Sequence, residues 1–482
     1  MKSGVVAGAL NAIVGVASRA SSQIVTLLLT LVAARYLTPT EFGIFSLAAI
    51  ATTLIRTLLY CGAFEHLLKA KDASEEASEC LAVNVLVVLV TSAVVAAGAL
   101  IARAAGGPDL LTDLLLLLLP SNLIAAITGW QESLLLRTER IRHYYFATLA
   151  AEIVALGVAV ALFVNGAGIW ALAGQVYARN LIMMLLYFVI GKIIFSDRFS
   201  RAKLVEVLRW SLDRYWTVSL AFGSTYAADV LLGVFLSPAA TGLYRASSRL
   251  VTAISDMICQ PTKLIGLAIF SARAARGESF AAIWPGVFAI AALFGWAALA
   301  VLGAGAATFV PLVLGPQWAG AVPLVMILCV ARAMNVLDAV TGTVLVVADQ
   351  ARQILRIQMV ASGVLLVALT LTAQLGIVAL TIAVAVVAMG TTGLLAVTAA
   401  RQMPGSGAVL LANLPLVIIP VSATAAGAWF AHTVVESHPM PLLLQAAVIA
   451  AAGGLAWVAA TALLHRSVRR LYAQIMLARQ AD

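Results

Sequence analysis

Long apolar runs follow one another almost without interruption along this chain, and they constrain it more than any other feature. Reading them against charged or turn-rich breaks gives fourteen, at residues 8–34, 43–63, 81–102, 113–131, 144–164, 168–190, 209–236, 240–270, 282–303, 323–347, 355–374, 377–399, 409–430 and 441–464. A helix of about 20 residues spans the roughly 30 Å hydrocarbon layer of a bilayer. Every backbone N–H and C=O there must be paired inside the protein, which leaves helices or closed barrels, and continuous rather than alternating apolarity selects helices. The fold expected is therefore an all-α integral membrane protein of about fourteen transmembrane helices. Charged residues make up only 11% of the chain, against about 25% in soluble domains, so no soluble domain is left to assign. The first run continues past Arg19 to Ala34 without a convincing cleavage site and reads as a span, not a signal peptide. Pro120, Pro261, Pro285 and Pro420 lie inside runs, where a missing N–H bends or breaks a helix unless neighbours compensate.

The charges that remain fall in a pattern. With the N-terminus inside, cytoplasmic segments hold 20 of the 30 Lys and Arg, and the outer loops hold only Arg35 and Arg103. That bias predicts cytoplasmic N- and C-termini. It also accounts for most of the net charge of +9, so nucleic acid is not an expected partner. Cys61, Cys80, Cys259 and Cys329 are scattered, without C-x-x-C pairs or histidines at ligand spacing. They read as free packing residues, and no metal is expected.

Eight cations lie within the spans: Arg19, Arg56, Arg179, Arg214, Arg245, Arg249, Lys263 and Arg332, against Glu152, Asp213, Asp229, Asp256 and Asp338. A cation at the centre of a membrane helix costs roughly 3 kcal/mol even on the mildest scale. These side chains must line a wet cavity, pair, or reach out from near a helix end, as Arg214 is placed to do. The stretch from Leu236 to Lys263 is the most informative. At about 100° per residue, Arg245, Arg249, Thr252, Asp256, Gln260 and Lys263 fall within roughly 80° of one helical face. Leu250, Val251, Ile254, Met257 and Ile258 form the opposite, apolar face. Asn11, Gly15, Ser18, Ser22 and Thr26 gather around Arg19 on helix 1, and Thr52, Arg56 and Tyr60 recur at i, i+4 on helix 2. Helices 1, 2 and 8 thus each carry a polar stripe with arginine.

Two short words repeat. LTPTEFGIF at 37–45 returns as LSPAATGLY at 236–244, and GIWAL at 168–172 returns as GIVAL at 376–380, at nearly equal offsets and in the same order. Duplication of a unit of about two hundred residues is implied, a route to transporters that bind cargo between repeats. The domain organisation expected is a lobe at 1–200 with helices 1–6, a lobe at 201–402 with helices 7–12, and 403–482 with helices 13–14 and a basic cytoplasmic tail.

LTLVAARYLTPTEFGIFSLA at 29–48, its echo VFLSPAATGLYRAS at 234–247 and the fourteen-helix plan resemble bacterial Wzx-type polysaccharide flippases of the MOP exporter superfamily. That superfamily also holds the lipid II flippase and MATE drug exporters. The resemblance covers helices 1–12, while helices 13 and 14 match in number and hydropathy alone. It implies two pseudo-symmetric six-helix lobes, alternating access and a cationic central cavity for the diphosphate of an undecaprenyl-linked oligosaccharide repeat unit. It places the protein in the bacterial inner membrane, moving cargo from inner to outer leaflet for cell-surface or exopolysaccharide synthesis. Membrane lipids, a polysaccharide polymerase and chain-length proteins are the further partners it suggests. Arg19, Arg56 and Arg249 match the family's arginines by position, with Arg245 one turn from Arg249. Asp229 sits where related chains often carry Asp, without a role attached.

The residues agree with such a cargo, because arginine stays charged and grips phosphate oxygens bidentately. Arg19 and Arg249 are read as cargo contacts; Arg56 and Arg245 stand between cargo contact and structural pairing. Arg179 and Arg332 are read as structural, for example pairing Glu152 or Asp338. Lys263 stands between meeting the head group and balancing Asp256. Enzyme readings find little footing. The histidines fall at loops or helix ends, no P-loop signature appears, and no cofactor or catalytic residue is expected. A membrane polysaccharide polymerase or ligase would be expected to carry a large polar outer loop, and the longest outer loop here, near 304–322, has no charge. A cation-coupled drug exporter or a lipid II exporter is the nearer alternative, although helix 1 lacks the acid that drug exporters commonly use there.

Overall fold

The turn at residues 37–39 shows how local sequence dictates the architecture. Tyr36 closes α1 (Ser21–Tyr36), and Thr38 then caps α2 (Pro39–Leu59) in a capping box with Glu41, with proline in the first helical turn. Thr38 Oγ1 accepts from the Glu41 backbone N–H at 3.3 Å, and Glu41 Oε2 accepts from the Thr38 N–H at 2.9 Å. Hydroxyl at the cap and proline in the first turn are what a helix start prefers. The echo repeats the device: Ser237 Oγ accepts from the Ala240 N–H at 3.2 Å at the start of a helix opening on Pro238.

The structure, a computed structural model, describes residues 21–72, 75–137, 141–191, 195, 199–281, 283–438 and 440–464. Arg19 and the first part of the predicted first span lie outside them. In order after α2 come α3 (Ala63–Lys69), α4 (Ala77–Ala104), α5 (Asp109–Leu118), α6 (Ser121–Arg137), α7 (Ile141–Val164), α8 (Trp170–Ile190) and α9 (Arg201–Phe235). Next are α10 (Pro238–Ala275), α11 (Ile283–Ala304), α12 (Ala306–Val313), α13 (Val322–Val347), α14 (Ala351–Thr372), α15 (Ile377–Gln402), α16 (Ser406–Glu436) and α17 (Leu442–Leu463). Twelve helical segments among the described residues are long and apolar enough to cross a membrane, and thirteen with α9, which bends by 56° near residue 224. The protein is an all-α, multi-pass membrane protein. Pro120 breaks its helix, separating α5 from α6, whereas α10 runs unbroken through Pro261 for 38 residues.

Contacts divide the chain into two compact units, Met1–Gly242 and Leu243–Asp482. In the first, α6 packs on α4 and α8, α7 on α8, and α9 on α2, α3 and α4. Lipid is as apolar as leucine, so helix association in a membrane rests on close fit more than on expulsion of water. Helix α7 supplies that fit with Ala147, Ala151, Ala155 and Ala159, one per turn and all fully buried. In the second unit, Trp284 and Phe288 of α11 share a core with Val336, Val340 and Val344 of α13 and Leu395 of α15. Helix α16 joins it through α11, and α17 packs on α16, so closely that a Cβ on Gly427 of α16 would stand 2.8 Å from Ala456 Cβ of α17. All four cysteines are buried and unpaired.

Both repeated words place glycine where a side chain is disfavoured, by contact in one and by backbone conformation in the other. Gly43 and Gly242, each four residues past its proline and both within the first unit, meet backbone to backbone. A Cβ on Gly43 would fall 2.6 Å from the Pro238 carbonyl carbon and 2.9 Å from the Gly242 nitrogen. One on Gly242 would stand 3.0 Å from both the Pro39 carbonyl carbon and the Gly43 nitrogen. The LTP and LSP turns therefore lie on the same side of the membrane. The other word opens α8 and α15 with Gly168 at φ 56° and Gly376 at φ 105°, a backbone region that side chains resist.

Candidate functional site

The first unit holds a polar network that hydropathy alone hides. On α2, Arg56 and Tyr60 stand one turn apart and hydrogen-bond each other. Pro120 restarts the chain as α6, and this carries Glu132 inside the span. Its carboxyl is 4% exposed and hydrogen-bonds Tyr60 of α2 and Tyr144 of α7, with Arg56 and Arg179 within electrostatic reach. Among the described residues its Oε2 has no hydrogen-bond partner. About two turns further along α7, Arg179 Nη2 of α8 pairs with Glu152 Oε1 at 3.1 Å, and Ser22 Oγ of α1 donates to the same oxygen at 2.8 Å. Tyr187 of α8 shares a 3.0 Å hydrogen bond with Thr148 of α7. Arg56 and Arg179 repel one another, and Glu132 and Glu152 offset them, so the four charges sum to zero. Among the described residues, both side-chain ends of Asn122 and of Gln131, also on α6, are buried without hydrogen-bond partners.

The second unit holds the α10 stripe. Arg245, Arg249, Thr252, Asp256 and Gln260 are partly buried and Lys263 is exposed, while Met257 on the other side is 74% exposed, as suits a lipid-facing residue. Lys263 attracts Asp338 of α13, and both lie with Asp256 around Cys259. Arg332 Nη2 donates to Ser248 Oγ at 3.5 Å. The pairing Arg332–Asp338 suggested by the sequence is thus replaced by Arg332–Ser248 and Lys263–Asp338, whereas Arg179 does pair Glu152. Asp229 is buried on α9, and its backbone carbonyl accepts from Thr241 Oγ1 at 3.2 Å. Arg214 pairs with Glu65 at 3.0 Å and stacks on Trp210 at 4.3 Å; with α9 starting at Arg201 it lies well inside the helix and not near its end, so pairing replaces the expected reach toward the interface. Among the described residues no group of acidic, histidine or cysteine side chains has metal-ligand geometry.

Glu132, Tyr144, Asn122 and Gln131 escaped the sequence reading. The fourth break between apolar runs begins at Glu132, directly after the run 113–131. Placing a helix start just after Pro120 would have carried the helix through Gln131-Glu132 to Arg137.

A dozen or more apolar helices with arginines and carboxylates held among them define a multi-pass membrane protein with polar groups inside its helix packing. Its fold matches the lipid II flippase MurJ in an inward closed conformation, at 11% identity and a TM-score of 0.73, over 95% of this chain and 99% of that one. It also matches an inward-facing multidrug resistance MATE transporter of the MOP superfamily, at 13% identity and a TM-score of 0.59, over 80% of this chain and 95% of that one. No curated protein sequence matches the chain. The model of the family described as "Polysaccharide biosynthesis protein" matches residues 32–323. The chain belongs to that family and shares the fold of the MOP superfamily transporters.

Proposed function

We propose that the protein is a flippase that carries an undecaprenyl-diphosphate-linked oligosaccharide from the inner to the outer leaflet of a bacterial inner membrane by alternating access. The observation that carries the reading is the stripe on α10, where Arg245, Arg249 and Lys263 share one face of a membrane helix with a single acid, Asp256. A membrane protein keeps such a cationic face for an anion that must cross with it. Family membership gives the anion its chemistry, since polysaccharide synthesis builds sugars on lipid diphosphates. The polyprenyl tail stays in lipid while the head group passes, and guanidinium forks on Arg249 and Arg245 grip the phosphates bidentately. Arg19 and Arg56 supply cationic charge from helices 1 and 2, in a lobe spanning 1–200 that a lobe at 201–402 repeats. Both termini face the cytoplasm.

Translocation of a lipid-linked oligosaccharide into proteoliposomes tests this at matched amounts of folded protein. Arg249→Ala and Arg19→Ala are expected to cut transport tenfold or more, and the lysine variants to restore part of it, keeping charge but not the fork. Normal transport by the alanine variants refutes the cationic-cavity reading. Preferred transport of lipid II over an oligosaccharide-linked carrier would move the cargo without changing the mechanism.

A further inference from the structure

The arginines inside the spans differ in what holds them. Arg179 pairs with Glu152 at 3.1 Å and Arg214 with Glu65 at 3.0 Å. Arg332 of α13 is partly buried and forms no ion pair among the described residues. Its one hydrogen bond among them runs from Nη2 to the neutral Ser248 hydroxyl at 3.5 Å, beyond the usual range of about 2.7–3.2 Å. A guanidinium carries several N–H donors in a rigid fork, and a membrane interior makes a cation without a counter-charge costly. Asp338, six residues on along α13, lies about 120° around the helix from Arg332 and within reach of Lys263 instead.

Packing holds this guanidinium beside the α10 stripe. Ser247 Oγ donates to the Ala321 carbonyl at 3.5 Å, just before α13 begins, and a Cβ on Gly320 would stand 3.3 Å from Leu243 Cδ1. Val336, one turn past Arg332, packs with Ile258 of α10 against Gly295 of α11. Trp296 of α11 donates from Nε1 to the Ala333 carbonyl at 2.6 Å, next to Arg332 in the chain. Ser248 is three residues from Arg245 and one from Arg249, so the guanidinium that α13 contributes reaches the same turn of α10. The acids of these spans lie elsewhere: Asp256 and Asp338 sit with Lys263 around Cys259, and Asp256 is about two turns along α10 from Arg249. Arg245, Arg249, Arg332 and Lys263 against Asp256 and Asp338 leave 4 − 2 = +2, the charge needed to neutralise a doubly esterified diphosphate.

We propose that Arg332 is a third ligand of the cargo diphosphate, joining Arg245 and Arg249 in a site that selects lipid carriers linked through two phosphates over those linked through one. This rests on the cargo reading above. A diphosphate esterified at both ends bears one negative charge and two terminal oxygens on each phosphate, which gives a bidentate fork a seat at each and lets a third guanidinium bridge them. A monophosphate diester occupies one fork and leaves the remaining guanidiniums to repel each other in a low-dielectric site. Lys263, matched by Asp338 and Asp256, marks the edge of the site.

The probes are one monosaccharide linked to undecaprenyl through a diphosphate and the same sugar linked through a single phosphate, so the second phosphate is the only difference. Binding of each to the purified full-length protein in lipid nanodiscs is measured at fixed ionic strength. The wild type is expected to prefer the diphosphate lipid by about tenfold or more. Arg332→Ala is expected to lose most of that ratio by weakening the diphosphate lipid far more than the monophosphate lipid, and Arg332→Lys to keep part of it, with charge but no fork. Arg332→Gln, which can still donate to Ser248, is expected to behave as the alanine variant. Ser248→Ala removes the hydrogen bond between α10 and α13 while leaving the guanidinium, and is expected to keep the preference. A purely structural role reverses the last two, with glutamine rescuing and Ser248→Ala imitating Arg332→Ala in both the binding ratio and thermal unfolding. That reversal, or a wild type that binds the two lipids equally, overturns the proposal. A wild type that binds neither lipid sinks the cargo reading; a wild type that prefers the diphosphate lipid, with the same ratio in Arg332→Ala, sinks the role of Arg332 alone.

Discussion

Replacing Gly43 or Gly242 by alanine sets two effects of opposite sign against each other. Both lie in the first turns of long helices, where alanine is favoured over glycine by about 1 kcal/mol. Propensity alone therefore predicts a stabilised protein. The contact predicts otherwise, because the new Cβ on Gly43 would lie 2.6 Å from the Pro238 carbonyl carbon, where ordinary contact begins at 3.4 Å. The helix starts must part by roughly 1 Å, and no rotamer change relieves a clash between backbones, so the cost falls at the upper end of the usual overpacking range, about 3 kcal/mol. The double variant adds a sharper test. One parting of the α2 and α10 starts accommodates both methyl groups, so the pair should cost about 3–4 kcal/mol, well short of the sum of the singles, a coupling on the order of 2 kcal/mol. Gly157→Ala is the control, since nothing lies within 4 Å of a Cβ there, and it should be neutral or slightly stabilising. Thermal unfolding in lipid nanodiscs, read by intrinsic tryptophan fluorescence, gives all four values. Stabilisation by either single substitution, or additivity in the double, would refute the mutual glycine contact as the reason for the repeated word.

Further outcomes follow from the same physics. Arg179→Ala leaves Glu152, itself 6% exposed, without its cation, and should destabilise the protein by about 3 kcal/mol; Arg179→Lys should recover part of this in the same melting experiment. Ala155→Leu inserts three carbons into a fully buried position of the α7 alanine series and should lower the melting temperature by more than Val154→Leu on the adjacent, 48% exposed position. For topology, a cysteine at position 106 in a background lacking the native four should label from outside the cell and one at position 275 only after permeabilisation; the reverse pattern would overturn the proposed orientation.

The amino-acid sequence by itself determined that this chain crosses a membrane many times. Runs of apolar residues about as long as a bilayer is thick admit few other fates, and that inference needs no partner helix. The hydropathy runs start α2 and α10 at residues 43 and 240, a few residues late, although the hydroxyl cap followed by proline that starts them at Pro39 and Pro238 is a local signal. The sequence did require that Arg56, Arg179, Arg249 and the rest find polar company. What company they find was decided only by tertiary structure. Arg179 meets Glu152 across α7 and α8, Lys263 meets Asp338 instead of being left to Asp256 alone, and Arg332 turns to Ser248. Such pairs depend on which faces of separate helices touch, information that no single helix carries. Glu132 shows the same limit: a hydropathy reading ended its span one residue too early, and only the break at Pro120 and the tyrosines arriving from α2 and α7 place that acid inside the membrane network. The glycines of the repeated words were visible as letters, but the reason for them lay in backbones 199 residues apart meeting where a methyl group does not fit.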